Sequence, residues 1–331
     1  MTKKAFITGI NGQDGYYLAE LLLSKNYHVF GITRNTALVS DKIEYLIGDL
    51  TDAASIQAAI DYAKPDEIYN LASQSHAHKS WHQSLDTAEV NAMGAHRLFD
   101  MAFKVNPDCK IFQASSMQMF GDANQSLQNE ASPFNPNNPY AISKLYAHNI
   151  AKSYRNNYHR FISCGILYNH ESPKRGMHFI TQKVAYAAAC LKHGIKQSCL
   201  LNEQGEPIVN HGKLLLGNLD AIRDWGHAAD FVKAMWLMLQ HNIPDDFIIA
   251  TGINHSIRDL CEAAFTHVGL DWKKYIEIDQ RFIRAQEITA IADISKIKNV
   301  LSWTPHVTFH QLISSMVDFH LSAIKSGHVL C

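Results

Sequence analysis

The sequence contains no apolar run approaching the roughly 20 residues that a membrane-spanning helix requires. Its opening, MTKKAFITGI, holds two lysines and then only a strand-length apolar stretch, with no signal-peptide core and no small-residue cleavage site. A soluble, cytoplasmic protein is therefore expected. Excess charge of one sign is also missing: 30 Lys and Arg balance 31 Asp and Glu, and charged residues make up only 18% of the chain. That excludes the basic footprint of a nucleic-acid binder and an acidic tail. The six cysteines, Cys109, Cys164, Cys190, Cys199, Cys261 and Cys331, stand far apart without a CxxC, so free thiols in a reducing compartment are expected. Histidine is plentiful, and His76, His78 and His82 share one short stretch. No cysteine or carboxylate completes a ligand spacing around them, so no metal is expected. Internal repeats and low-complexity tracts are absent.

What is present is a regular alternation. Strand-like apolar runs at 5–8, 28–33, 67–71, 110–115 and 161–167 are separated by segments of helical period. Leu18, Leu21 and Leu22 fall on one face, as do Ile56, Ala59 and Ile60. This is the pattern of parallel strands joined by crossover helices, an α/β doubly wound sheet with ligands at the carboxyl ends of its strands. After about residue 168 the rhythm loosens, with helix-like stretches at 179–193, 228–240 and 256–268 among loops. Residues 1–168 are read mainly as a dinucleotide-binding domain and 169–331 mainly as a smaller substrate lobe, with some interleaving. Residues 202–212, NEQGEPIVNHG, read as a polar loop or hairpin.

Gly9, Gly12 and Gly15 follow the first strand and open the first helix, interleaved with Asn11, Gln13 and Asp14. Small residues there let backbone amides and a helix N-terminus approach a pyrophosphate. The second strand ends at Thr33-Arg34-Asn35 with no acid to hold a ribose diol, so Arg34 points to a 2′-phosphate and to NADP in preference to NAD. Asp49 and Leu50 after the third strand, and Leu71, Ala72, Ser73, Gln74 and Ser75 after the fourth, are placed to line the adenine and the cofactor ribose.

Tyr140 and Lys144, in YAISK at a helix start, share one face by their i,i+4 spacing. A tyrosine near pKa 10 is a poor base at neutral pH, but an adjacent ammonium favours the phenolate. Such a pair can take a hydroxyl proton as hydride leaves carbon. With the glycine turn and Ser115-Ser116 after the fifth strand, it forms the motif set of the short-chain dehydrogenases.

The strings GINGQDGYYLAE, DEIYNLASQSH, ILYNHESPKRG and GNLDAIRDWGHAAD, with Arg281, Arg284 and Glu287 and the closing LSWTP, resemble the GDP-mannose 4,6-dehydratases, extended short-chain dehydrogenases with a Rossmann fold. The likeness runs through nearly the whole chain. It implies that Tyr140 and Lys144 serve oxidation at C4, that His170 and Arg175 lie at the cofactor, and that Asn169, Lys183, Arg223, Arg284 and Glu287 belong to a GDP-sugar site. It also implies a homo-oligomer, dimer or tetramer.

The departures fall where the chemistry matters. The family reads Ser-Thr-Ser-Glu after the fifth strand, the Thr orienting the sugar and the Glu taking the C5 proton before water leaves C6. This chain reads Ser115-Ser116-Met117-Gln118. Ser116 keeps a hydroxyl, but the neutral amide of Gln118 cannot accept a proton as a carboxylate does. Full dehydration then needs another base, with Glu130 or a histidine as stand-in. Phe120 replaces Tyr, Ala285-Gln286 replaces Pro-Thr, residues 202–212 are extra, and the stretch between Arg34 and Asp49 is short. A GDP-sugar 4-epimerase, 4-dehydrogenase or 4-ketoreductase, and a non-catalytic sugar-nucleotide-binding protein, are the alternatives to a dehydratase.

Overall fold

The computed structural model describes residues 2–34, 40–121, 126–283 and 290–327. The chain forms two compact units, one of Met1–Tyr168, Ala228–Ala250 and Ala292–Thr304, the other of Asn169–His227, Thr251–Ile291 and Pro305–Cys331.

The first unit is built on a seven-stranded sheet. Its strands are β1 (Lys4–Thr8), β2 (His28–Thr33), β3 (Glu44–Ile47), β4 (Glu67–Asn70), β5 (Lys110–Ser116), β6 (Ile162–Leu167) and β7 (Asp246–Ile249). They lie in the order β7-β6-β5-β4-β1-β2-β3, every neighbouring pair parallel. The flanking helices are α1 (Gln13–Ser24), α2 (Ala53–Ala63), α3 (Gly94–Val105), α4 (Pro139–Tyr158) and α5 (Ala228–Gln240). Central strands such as KAFIT and ISCGIL are buried almost throughout, because helices cover both faces. One core gathers Leu18 and Leu22 of α1 with Phe231 and Met235 of α5, and the other gathers Ile56 and Ile60 of α2 with Leu98 and Phe99 of α3. The order reverses between β1 and β4, which opens the crevice where doubly wound sheets bind ligands.

Buried polar contacts fix α4 against this sheet. Arg155 forks onto Asp246 of β7 at 2.9 and 3.0 Å and donates to the Ile162 carbonyl at 3.1 Å. His148 meets the Ser115 hydroxyl of β5 at 3.0 Å. Removing one partner of a buried ion pair typically costs about 3–5 kcal/mol, so the middle and last turn of α4 are held firmly against the sheet.

In the second unit, helices Ile180–Lys192, Ile257–His267 and Phe309–Lys325 pack around Val184, Leu260, Phe265, Leu312 and Met316. Capping boxes at Ser256 with Asp259, and at Thr308 with Gln311, start two of them. Among the described residues no helix is long and apolar enough to cross a membrane. Cys109, Cys164, Cys190 and Cys261 are buried free thiols, whereas Cys199 is disulfide-bonded, against the expectation that every cysteine is free.

Candidate active site

The glycine turn is shaped by close backbone approach. Gly9 has a φ of +71°, and a Cβ there would lie 2.8 Å from the Ala72 amide nitrogen. A Cβ on Gly15 would lie 2.4 Å from the Gly9 carbonyl, so α1 begins tight against the end of β1. Gly12 caps α1 without a side-chain hydrogen bond, so the helix start at Gln13 and Asp14 carries no side-chain cap. Asn11 ties the loop to the end of β2 by donating to Thr33 Oγ1 at 2.8 Å. Thr8 Oγ1 accepts from the amides of Leu71 and Ala72 at 3.0 Å, joining the two strand ends that flank the crevice. In the next residues Gln74 Oε1 is buried with no hydrogen-bond partner among the described residues. A cradle closed to side chains, an uncapped helix start and an orphaned acceptor fit a dinucleotide.

Arg34 stands just past β2 with its side chain 80% exposed, 3.7 Å from the Asp49 carboxylate. Partial burial works against the charge on Asp49, but hydrogen bonds from Thr51 and the Arg34 guanidinium hold its pKa below the usual value. Sequence reasoning found no acid at the end of β2. The structure brings one to Arg34 from the end of β3. Leu50 is buried, while Leu71, Ala72, Ser73 and Gln74 are half-buried and Ser75 is exposed.

One residue that the sequence did not single out organises this loop. Asn91 is buried in a single π turn, Glu89–Met93. Its Oδ1 accepts from Ser73 Oγ at 3.0 Å and from the Gln74 amide at 2.9 Å, and its amide donates to Ser143 Oγ of α4 at 3.1 Å. It thus links the 73–74 loop to the helix of Tyr140. The π turn is the local anomaly that marks this position, and it is visible only in three dimensions.

Helix α4 begins where its sequence requires: Asn138 caps it by accepting from the Ala141 amide, and Pro139 fills the first turn. The Tyr140 amide donates to Ser80 Oγ at 3.2 Å. Lys144 Nζ lies 5.9 Å from the centre of the Tyr140 ring and donates to the Ala114 carbonyl at 2.9 Å. Burial pushes the Lys144 pKa from 10.5 down to about 8, against the pull of Asp14. Between those values the folded state holds fewer protons than the unfolded one, so this group makes stability rise with pH from about 8 upward. Below that window burial is a constant penalty. Lys144→Met is expected to flatten the rise in a series of denaturant titrations across the window. Parallel profiles for the two proteins would contradict the buried-ammonium reading.

Ser116 closes β5 and caps a short 3₁₀ turn, Met117–Phe120, its Oγ accepting from the Gln118 amide at 3.2 Å. That leaves the Ser116 O–H free to donate. The Gln118 side-chain amide reaches the Met117 sulfur at 3.7 Å, and Phe120 is fully buried against Phe134. Glu130 does not stand free as a substitute base. Its carboxylate accepts from the Ile248 amide at 2.8 Å, serving the edge strand β7. Burial raises its pKa, and that hydrogen bond opposes the rise.

The second unit places two of the long motif strings side by side. Strand Asn169–Glu171 pairs in parallel with Ile222–His227, setting Asn169 opposite Trp225. Arg223 donates to the Ile222 carbonyl at 2.6 Å. His170 is buried, and Arg175 meets Glu171 at 3.1 Å with its guanidinium 3.3 Å from the Phe179 ring centre. Lys183 pairs with Glu203 at 2.8 Å. Arg284 and Glu287, with Ala285 and Gln286, lie outside the described residues.

A family model described as GDP-mannose 4,6 dehydratase matches residues 6–316. The chain belongs to the GDP-mannose 4,6-dehydratase family. GDP-mannose 4,6 dehydratase 2 of Arabidopsis thaliana is 43% identical over 99% of this chain and 89% of its own length. The human GDP-mannose 4,6 dehydratase is 39% identical over 98% of this chain and 92% of its own. Among solved structures, RMD from Pseudomonas aeruginosa complexed with NADPH shares the fold at a TM-score of 0.77 and 20% identity, covering 97% of this chain and 100% of that one. DesIV, a dTDP-glucose 4,6-dehydratase from Streptomyces venezuelae with NAD bound, does so at 0.80 and 20%, covering 98% of each.

Against this family background, one buried cluster went unread in the sequence. His148, Cys164 and Asp246 bring ligand-type atoms within 4.8 Å of one another. The Arg155 fork on Asp246 already supplies its positive charge, so the cluster is read as structural.

Proposed function

We propose that the protein binds NADP and a GDP-sugar, oxidises the sugar at C4 through Tyr140, and completes 4,6-dehydration slowly because Gln118 stands where the family has its C5 base. The observation that carries this reading is the Tyr140–Lys144 pair, its ammonium bound to the carbonyl of Ala114 on the strand that ends at Ser116, in a chain of this family. A bound nicotinamide supplies the hydride acceptor at C4 and the donor that later returns hydride to C6. The Tyr140 oxygen takes the proton of the C4 hydroxyl as hydride leaves, and the Lys144 charge favours the phenolate form. The Ser116 O–H donates to the sugar and orients it. The resulting ketone acidifies C5, whose proton must be removed before the C6 hydroxyl departs as water. An amide at 118 cannot take that proton.

Gln118 also favours a second reading, in which the same scaffold stops at C4 as a 4-epimerase, 4-dehydrogenase or 4-ketoreductase. A non-catalytic binding protein would have no use for the Tyr140–Lys144 pair. Mass spectrometry of GDP-mannose after incubation with enzyme and NADP separates these readings. Loss of one water marks dehydration, loss of two hydrogens or an isomer marks C4-only chemistry, and unchanged substrate argues for binding alone.

Arg34 carries the choice of cofactor. Its exposed guanidinium is available to a 2′-phosphate, and a charge-assisted hydrogen bond there is expected to make NADP bind about tenfold or more tightly than NAD. Arg34→Ala is expected to bring the two dissociation constants to near parity. Equal affinities in the unmutated protein would remove the NADP assignment.

A further inference from the structure

Residues 202–212 form the end of an ordered hairpin. Ile208 donates its amide to the Leu200 carbonyl at 2.9 Å, and Asn202 to that of Glu206 at 2.7 Å. Asn202 Oδ1 accepts from the amides of Gln204 and Glu206, and Gly205 turns the tip at a φ of +76°. Two carboxylates leave this tip for two cations of the same unit. Both oxygens of Glu203 meet Lys183 Nζ, at 2.8 and 2.9 Å. Glu206 forks onto Arg281 at 2.9 and 3.0 Å, and Arg281 also holds Asp279. The Lys183 side chain is only 12% exposed, which sets this contact apart from an ordinary surface ion pair.

We propose that the hairpin tip is a built-in anion mimic: Glu203 occupies Lys183 where a nucleotide diphosphate would bind, and Glu206 anchors the tip through Arg281. This rests on Lys183 belonging to the proposed GDP-sugar site. An ammonium has three donors, and both oxygens of one carboxylate are already directed at Lys183. A diphosphate, with more charge and more acceptor oxygens, displaces the carboxylate, but its affinity is reduced by the contact it must break. The anchor is separate from the exchange, since Glu206 and not Glu203 forks onto Arg281, which Asp279 also fixes in place.

The test is the dissociation constant of GDP, measured calorimetrically on the full chain, for the unmutated protein, Glu203→Gln, Lys183→Ala and the double variant. Glu203→Gln is expected to bind GDP about tenfold more tightly, the size of effect of releasing one charge-assisted contact. Lys183→Ala is expected to weaken GDP binding, and in that background Glu203→Gln is expected to change nothing. Glu206→Gln, which loosens the anchor without touching Lys183, is expected to tighten binding by a smaller factor. If Lys183→Ala weakens GDP binding while Glu203→Gln leaves it equal or weaker, the mimic is overturned and the site stands. A purely structural hairpin would show this as a lower melting temperature with unchanged GDP affinity. If Lys183→Ala leaves GDP binding unchanged, the assignment of Lys183 falls and the mimic with it.

Discussion

Gln118→Glu is expected to raise the rate of GDP-mannose 4,6-dehydration by about 10²–10⁴-fold, the usual contribution of one positioned general base. Gln118 sits in the 3₁₀ turn that Ser116 caps, so the substitution changes one terminal amide to a carboxylate without disturbing the backbone that aims it. Incorporation of solvent deuterium at C5 is expected to rise in parallel, because exchange and elimination share the same proton removal. The unmutated protein is expected to turn over hydride at C4 with little exchange at C5. A turnover of about 1 s⁻¹ or more for dehydration by the unmutated protein, an ordinary enzymatic rate, would show that another residue is the base.

Tyr140→Phe is expected to abolish C4 oxidation to a similar extent, about 10²–10⁴-fold, whether it is made in the unmutated protein or in the Gln118→Glu variant. Without the phenol oxygen no group takes the C4 hydroxyl proton, no ketone forms, and C5 is never acidified. The substitution removes a single oxygen from a half-buried ring, and the α4 start is held independently by Asn138, Pro139 and Ser80. Folding and GDP affinity are therefore expected to stay close to those of the parent, as melting temperature and calorimetry can check. Residual C5 exchange in Tyr140→Phe above that of a Lys144→Met control would place the proton transfer elsewhere.

The parts of this architecture that were legible in the sequence are those governed by local rules. Strands at 28–33 and 110–116 carry clustered apolar residues and are buried almost throughout because helices cover both sheet faces, and α2 shows its period because only one of its faces is buried. Tyr140 and Lys144 were placed on one face by helix geometry alone. Less visible was everything set by distant partners. Asn91 acts on Ser143 and Gln74, and Ser80 on Tyr140, across gaps in the chain that no periodicity spans. That Asp246–Ile249 forms the far edge of the first unit's sheet is likewise a matter of pairing with β6, since its four residues resemble many other short strands. The polar stretch 202–212 was readable as a hairpin from its Gly and Pro, but its charges gain meaning only from Lys183 and Arg281. Glu130 illustrates the converse: as a letter it was a candidate base, and its hydrogen bond to Ile248 commits it to the sheet.

The central claim is that this chain performs hydride chemistry at C4 of a GDP-sugar and is then held up at C5. Rapid mixing of the NADP-loaded protein with GDP-mannose, followed by the absorbance of the reduced nicotinamide, tests it most directly. The absorbance is expected to build up and persist in the unmutated protein, to decay quickly in Gln118→Glu as hydride returns to C6, and to be absent in Tyr140→Phe. No lasting absorbance in a protein that demonstrably binds both NADP and GDP-mannose would contradict the account, with unchanged GDP-mannose then marking a sugar-nucleotide-binding protein and loss of one water marking a dehydratase that is not held up at C5.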